Sequence, residues 1–197
     1  MRNDVMHILT LFFLGATIVA GGLTLVDYSV TAGESGEPLE ARLPSEFLAE
    51  DGQAVVVVVI HPQCPCTIST ARELQRLAPQ FPRGISVVVC AFCPGDEDDS
   101  WIDSSLVDVL NRVPNSRVVV DRDGHLAEML GAQTSGHVLF YGTDGALAFT
   151  GGITAGRGHE GRSAAAEDLL AGVRGRSGCE SWPVYGCALF GDRGGQP

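Results

Sequence analysis

The hydrophobic and polar positions of the chain divide it into an apolar N-terminal segment, a polar connector and a longer region of alternating elements. Residues 8–26 contain no charged side chain and are just long enough to cross a bilayer as a helix. The residues that follow are rich in Gly, Glu and Pro, as linkers often are. We therefore predict a short tail, a transmembrane anchor and a linker, over residues 1–7, 8–29 and 30–44.

Beyond the linker, the pattern predicts a globular domain over residues 45–190 and a short tail over residues 191–197. Residues 54–60 are an unbroken, mostly β-branched apolar run, which is typical of a strand buried on both faces. Four more strands are predicted, at residues 85–91, 117–120, 137–141 and 146–149. Helices are predicted from residue 64 or 65 to residue 78, and at residues 101–113, 126–130 and 163–173. This order predicts an α/β fold with helices on both faces of its sheet.

A cleaved signal peptide is the alternative to a permanent anchor. Signal peptides usually have a shorter apolar region, which favours the anchor, but the small residues of 30–32 permit cleavage. Arg2 and Asp4 offset each other, so charge says little about orientation. The six cysteines of the chain favour an oxidising compartment. We expect a single-pass protein of the inner (cytoplasmic) membrane whose soluble domain faces the periplasm or the cell exterior.

The charge of the chain argues against some partners. The net charge is −11 at pH 7, which repels the phosphates of nucleic acids and of anionic lipid headgroups. We therefore expect no nucleic-acid partner, while ordinary solubility is sufficient to explain the acidic balance.

Two cysteines, Cys64 and Cys66, follow the first predicted strand and are separated only by Pro65. A thiol at a helix N-terminus is exposed to the positive end of the helix dipole, which lowers its pKa. The resulting thiolate attacks disulfides and binds soft metals. We expect Cys64 to be the nucleophile, because it lies nearer to the helix start and to solvent. The motif therefore predicts thiol chemistry, either redox or metal binding.

Four segments carry a resemblance to a known family: HPQCPCT at residues 61–67, TSG at 134–136, GGITAGRGH at 151–159 and YGC at 185–187. Together with the order of strands and helices, they resemble the thioredoxin-like superfamily, and more narrowly the membrane-anchored RedB-type thioredoxin-like proteins of bacteria. The resemblance implies a central mixed sheet with helices on both faces. It also implies thiol–disulfide exchange without a cofactor, with Cys64 as nucleophile and Cys66 as resolving thiol. Protein dithiols or disulfides, or an electron-donor protein, are the implied partners.

The chain departs from the common family pattern in two ways. Only one residue separates its cysteines, where most members have two, and Gly136 falls near the position of the usual cis-proline. A Cys64–Cys66 disulfide needs a tight local bend, so we expect it to be strained and easily reduced. The alternative is two separate thiols, only one of them reactive. At Gly136 we expect an open patch of backbone against the thiols, so that substrate docking differs from the family's. The candidate residues around the substrate are His61, Pro65, Gly136 and Arg157.

Two histidines and one arginine are candidates for the surroundings of the thiols. His61 directly follows the first strand, where it either stabilises the Cys64 thiolate, supplies a metal nitrogen or is simply a polar residue at a strand end. Arg157 and His159 lie in a glycine-rich segment that either approaches the thiols or forms a surface loop. In the first case Arg157 helps to hold an anion or a thiolate.

The remaining cysteines form two further pairs in sequence. Cys90 and Cys93 end a strand parallel to the first. Either one of them is a relay thiol or metal ligand near Cys64, or Cys90 is a small buried apolar residue and Cys93 pairs elsewhere. We favour the buried role. Cys179 and Cys187 are spaced suitably for a structural disulfide in the tail.

Three functions are compatible with these residues. The leading one is a thiol–disulfide oxidoreductase that uses Cys64 and Cys66. The first alternative is a Cu(I)-binding metallochaperone or sensor, in which copper is held by the two cysteines and by His61 or His159. The second alternative is a thiol peroxidase, which needs an arginine beside the Cys64 thiolate, and Arg157 is the candidate.

Overall fold

A computed structural model of the 197-residue chain describes residues 2–38, 42–43, 47, 52–175 and 181–190. The elements follow in the order α1 (Arg2–Val30), β1 (Ala54–Ile60), α2 (Ile68–Leu77), β2 (Ile85–Cys93), α3 (Ser105–Leu110), β3 (Ser116–Arg122), α4 (His125–Met129), β4 (His137–Tyr141), β5 (Leu147–Gly151), α5 (Ala164–Val173) and β6 (Ser181–Trp182). Short 3-10 turns lie at Pro65–Thr67, Ala78–Gln80 and Asp99–Ile102.

The six strands form one mixed sheet in the order β3-β2-β1-β4-β5-β6. Strands β1, β2 and β3 are parallel to one another, whereas β4 runs antiparallel to both β1 and β5. The predicted mixed sheet is therefore confirmed. Because β1 has a parallel neighbour on one side and an antiparallel neighbour on the other, its backbone is paired along both edges, as a fully buried strand requires.

The core has two halves, one on each face of the sheet. Successive side chains of a strand point to opposite faces, so the apolar run of β1 supplies both halves. The residues Val56, Val58 and Ile60 pack with α2, α3 and α5, and Val55, Val57 and Val59 pack with α4, Phe47 and Leu189. The prediction of a sheet covered on both faces is confirmed.

Several predicted element boundaries differ from the observed ones. The predicted helix over residues 101–113 is divided into a 3-10 turn and the shorter α3. Each part has its own N-cap, because Asp98 accepts a hydrogen bond from the backbone of Ser100 and Ser104 accepts one from the backbone of Val107. Between them Asp103 is extended, which interrupts the helix. Strand β2 continues two residues beyond its predicted end because it pairs with β3 up to Arg122, and β6 was not predicted.

Helix α1 contains the apolar segment predicted from the sequence. Its residues Val5–Val30 have a mean hydropathy of 2.1 and form a helix long and apolar enough to cross a membrane. The chain that follows α1 lies against the domain. The backbone N–H of Gly33 donates to the carbonyl of Val184 at 2.8 Å, and that of Gly36 donates to the carbonyl of Gly131 at 2.9 Å.

A buried histidine on β4 makes the stability of the domain sensitive to acid. The Nε2 atom of His137 lies 2.8 Å from the hydroxyl of Thr150, and burial lowers the pKa of His137 to about 4. An unfolded histidine has a pKa of about 6.5, so below that pH the unfolded chain binds a proton that the folded chain does not. We expect the free energy of unfolding to fall as the pH drops from 6.5 towards 4, by about 2 kcal/mol at pH 5.

Denaturant unfolding of the full chain in detergent at pH 7 and pH 5 measures this difference. In His137→Gln, the difference in unfolding free energy between pH 7 and pH 5 should be smaller by about 2 kcal/mol, since glutamine does not titrate. His125→Gln is the control, because His125 is exposed and should leave the difference unchanged. An equal loss of stability in wild type and His137→Gln would contradict the assignment.

A candidate active site of three thiols

Strand β1 and helix α2 together position Cys64 beyond the carboxyl end of β1. After β1 ends at Ile60, the chain makes a turn in which the N–H of Cys64 donates to the carbonyl of His61 at 3.0 Å. Cys64 is then the N-cap residue, and Pro65 occupies the first position of the helical turn, where its fixed φ and missing N–H are tolerated. The predicted helix start at residue 64 or 65 is confirmed.

A third cysteine, Cys187, lies at this site. Its Sγ atom is 2.7 Å from Sγ of Cys64, and its backbone N–H donates to the same Cys64 sulfur at 3.2 Å. The sulfur atoms of Cys64, Cys66 and Cys187 all lie within 4.8 Å of one another. The spacing in the sequence predicts a tail disulfide between Cys187 and Cys179, and Cys179 lies outside the described residues. Only the YGC segment of the family resemblance hinted at another role for it.

The exposure of the two neighbouring cysteines is the reverse of what the sequence suggested. Cys64 is only 3% exposed, because the segment that carries Cys187 covers it, whereas Cys66 is half-buried. The expectation that Cys64 lies nearer to solvent is therefore wrong.

The segment over residues 183–190, which we call the closing segment, is tied to the loop before β4. The N–H of Ser135 donates to the carbonyl of Cys187 at 2.8 Å, and the N–H of Leu189 donates to the carbonyl of Gln133 at 2.8 Å. Gly186 packs so closely that an added Cβ would collide with the carbonyl oxygen of Ser135. These contacts hold Cys187 in front of Cys64.

The closing segment covers the backbone next to Gly136. This residue has a φ of 91°, its N–H donates to the carbonyl of Val59 at 2.8 Å, and a Cβ on it would lie 3.0 Å from the hydroxyl of Thr70. A glycine therefore suits both the backbone conformation and the space against α2. The expected open patch of backbone against the thiols is wrong, because the closing segment pairs with the preceding residue, Ser135.

Hydrogen bonding lowers the pKa of Cys64 to about 5. The largest cause is the Cys187 thiol, which donates to the Cys64 sulfur. Burial opposes this effect, and hydrogen bonds from Thr67 and from the backbone of Cys187 lower the pKa further. The same pairing, followed by burial, raises the pKa of Cys187 far above its ordinary range. The site therefore holds one thiolate on Cys64 and a protonated thiol on Cys187.

His61 lies beside this thiolate, between two aromatic rings. Its imidazole stacks on Phe92 with the ring centroids 5.7 Å apart, and meets Trp101 edge-on at 6.1 Å. Its Nδ1 atom accepts a hydrogen bond from the backbone of Gln63 at 3.2 Å. Burial lowers the pKa of His61, while the charge of Cys64 raises it to a smaller extent. His61 is thus electrostatically linked to the Cys64 thiolate but is not part of the three-sulfur group.

Arg157 joins the glycine-rich segment to both the closing segment and α1. Its guanidinium donates to the carbonyl of Gly186 and lies over the ring of Tyr28, 4.8 Å from the centroid. Its backbone N–H donates to the carbonyl of Ser29 at 2.9 Å. Arg157 therefore contacts Gly186 and Tyr28, whereas a thiol peroxidase needs an arginine that contacts its thiolate. His159 lies outside the three-sulfur group.

Cys90 and Cys93 are both buried. Cys90 packs in the core half formed by α4, and burial, followed by the charge of Asp121, raises its pKa well above the ordinary value. The Sγ atom of Cys93 lies 3.2 Å from the guanidinium of Arg122. The expectation that Cys90 is a small buried apolar residue is confirmed by its packing. Neither cysteine belongs to the three-sulfur group.

The site can carry out two kinds of chemistry. A thiolate next to other thiols is suited to disulfide exchange. Three sulfur atoms that converge within 4.8 Å are also suited to a soft metal ion, because thiolates select ions such as Cu(I).

Two solved structures with TM-scores of 0.60 and 0.58 have a similar architecture. No family model and no curated protein matches the chain. An uncharacterized conserved protein from Geobacillus kaustophilus is 20% identical with a TM-score of 0.60, covering 84% of this chain and 95% of that chain. A hypothetical protein from Sinorhizobium meliloti 1021 is 19% identical with a TM-score of 0.58, covering 84% of this chain and 99% of its own. A thioredoxin-like protein from Aeropyrum pernix is 15% identical with a TM-score of 0.47, covering 81% and 96%.

The sheet order and the place of the thiols agree with the fold that the sequence predicts. The central strand β1 leads into a helix that begins at Cys64, and β4 pairs antiparallel with that strand on its other side. The narrower likeness to RedB-type proteins stays a prediction. The chain therefore has a thioredoxin-like fold.

Proposed function

We propose that the protein is a membrane-anchored thiol–disulfide oxidoreductase whose reactive group is the Cys64 thiolate. The observation that supports this function is the environment of Cys64, where hydrogen bonds from Cys187 and Thr67 lower its pKa to about 5. A thiol with this pKa is almost fully ionised at neutral pH, and the thiolate is the form that attacks a disulfide. Two other thiols lie within 4.8 Å to complete an exchange.

In the first step the Cys64 thiolate attacks one sulfur of a substrate disulfide. A mixed disulfide forms, and the other substrate sulfur leaves as a thiolate. A second thiol of the protein then attacks Cys64, which releases the rest of the substrate as a thiol and leaves an internal disulfide. The substrate gains two electrons, and the reverse sequence oxidises a substrate dithiol. The sequence assigns the second thiol to Cys66.

The anchor and the site together suggest where the reaction takes place. Helix α1 is long and apolar enough to be a single-pass anchor in the inner membrane, with the thiol domain in an oxidising compartment outside the cytoplasm. Through Ser29 and Tyr28, the end of α1 contacts Arg157, which also holds the closing segment. We therefore expect the partners to be protein dithiols or disulfides near the membrane surface, together with an electron-donor protein that resets the thiols.

Copper binding is a second candidate function, which the convergence of three sulfur atoms supports. A metallochaperone or sensor would hold Cu(I) with Cys64, Cys66 and Cys187. Cys187 then takes the place that the sequence analysis gave to His61 or His159. Such a site needs all three cysteines reduced.

The first prediction concerns the ionisation of Cys64. We expect the ultraviolet absorbance of its thiolate to appear with a midpoint near pH 5 instead of the ordinary value of about 8.5, because hydrogen bonds stabilise the charged form. Thr67→Val should raise the midpoint, since it removes one donor, and Cys66→Ser should leave it unchanged. A midpoint near 8.5 in wild type would exclude the proposed thiolate.

The second prediction concerns turnover. Cys64→Ser in the full chain should reduce the rate of insulin disulfide reduction with dithiothreitol to the uncatalysed background, because serine does not form the mixed disulfide. Cys93→Ala is the matched control, since it also removes one buried sulfur but lies outside the three-sulfur group. Equal loss of rate in both variants would point to a general loss of structure and not to a catalytic thiol.

The third prediction separates copper binding from redox exchange. If copper is the ligand, the reduced full chain in detergent should retain one equivalent of Cu(I) against a competing chelator, and Cys66→Ser should lose it. Less than a tenth of an equivalent, measured by elemental analysis after gel filtration, would exclude this function.

A further inference from the structure

The Cys64 sulfur is paired with the Cys187 sulfur, which is 123 residues away in the sequence. The two Sγ atoms are 2.7 Å apart, compared with about 2.05 Å in a covalent disulfide. The sulfur atoms therefore need to approach by about 0.65 Å to reach bonding distance.

Cys66 is less suitably placed to form this bond. Cys64 and Cys66 are two residues apart at the start of one continuous helical stretch that runs from Pro65 into α2. Side chains separated by two positions on a helix do not face each other. A disulfide between them would require the helix start to bend, whereas Cys187 approaches from a separate segment.

The closing segment sets the position of Cys187 in advance. Backbone hydrogen bonds of Cys187 itself and of Leu189 join the segment to the loop before β4, and the carbonyl of Gly186 is held by Arg157. The segment also joins the chain after α1 through the hydrogen bond between Gly33 and Val184. A thiol that is held in place beside its partner loses little further freedom when the bond forms, which increases the rate of an intramolecular attack.

The protonation states of Cys64 and Cys187 change in a fixed order during the exchange. While Cys64 is a thiolate, Cys187 is its hydrogen-bond donor and remains protonated. When Cys64 has bonded to a substrate sulfur, its negative charge is gone, and so is the main cause that holds the proton on Cys187. Cys187 then loses its proton more readily, at the stage when its thiolate is needed.

We infer that Cys187, and not Cys66, is the resolving thiol, so that the oxidised protein contains a Cys64–Cys187 disulfide. The resolving role of Cys187 rests on the proposed exchange function. The Cys187 thiolate attacks Sγ of Cys64 in the mixed disulfide. The Cys64–Cys187 bond forms, the bond from Cys64 to the substrate breaks, and the substrate sulfur leaves as a thiolate that takes up a proton. The protein is oxidised by two electrons and the substrate disulfide is reduced by two.

Peptide mapping of the oxidised protein tests the pairing directly. The reduced full chain in detergent is oxidised with oxidised glutathione, its free thiols are alkylated, and its disulfide-linked peptides are identified by mass spectrometry without reduction. We expect the Cys64 peptide to be linked to the Cys187 peptide in wild type and in Cys66→Ser. A Cys64–Cys66 link, a Cys179–Cys187 link, or loss of the link in Cys66→Ser would overturn the assignment.

Trapping of the mixed disulfide provides a second readout that does not depend on the final pairing. With oxidised glutathione, Cys187→Ser should accumulate glutathione on Cys64 to a level at least about tenfold above wild type, because the adduct is no longer resolved. Cys66→Ser should accumulate no more than wild type. Accumulation in Cys66→Ser but not in Cys187→Ser would assign resolution to Cys66.

Peptide mapping together with the insulin assay separates this inference from the proposed function. A chain that forms the Cys64–Cys187 disulfide but reduces no protein disulfide would refute the oxidoreductase and leave the pairing intact. A chain that reduces insulin through a Cys64–Cys66 disulfide would refute the pairing and leave the function intact.

Discussion

The structure depends on the burial of strand β1 along both of its faces. Its five consecutive valines have no solvent-exposed side, so the chain must cover both faces of the sheet and pair both edges of the strand. Burying each valine contributes about 1.5 kcal/mol or more. The strand is therefore stable only at the centre of the sheet. The residues that follow it, His61 to Cys66, lie beyond its carboxyl end, where the thiols meet.

The chemistry of these thiols follows from how a thiolate is stabilised away from water. Burial alone raises the pKa of a thiol, as it does at Cys90. At Cys64 the hydrogen bonds from Cys187 and Thr67 outweigh burial, and the pKa falls to about 5. The donor that contributes most is itself a thiol, so the group that stabilises the thiolate is also the group that can form a disulfide with it. Oxidation removes both the charge and its donor in a single step.

The closing segment links this chemistry to the end of helix α1. It crosses the loop before β4, and Arg157 connects it to the last residues of α1, including Ser29. Residues after α1 also pair with it through Gly33. The thiols are therefore covered by a strip of chain that is held from two sides, and residues 183–190 occupy the space in front of Cys64.

The sequence by itself determined the parts that depend on local pattern. An uninterrupted β-branched run specifies a buried central strand, and Pro65 after Cys64 specifies a helix start, because both signals act over a few residues. The break of the predicted helix at Asp103 was missed because competing N-caps decided it. Only the tertiary structure brought Cys187 to Cys64 and covered the backbone beside Gly136. That contact joins residues 123 positions apart through backbone hydrogen bonds, which any sequence can make and no local pattern reveals.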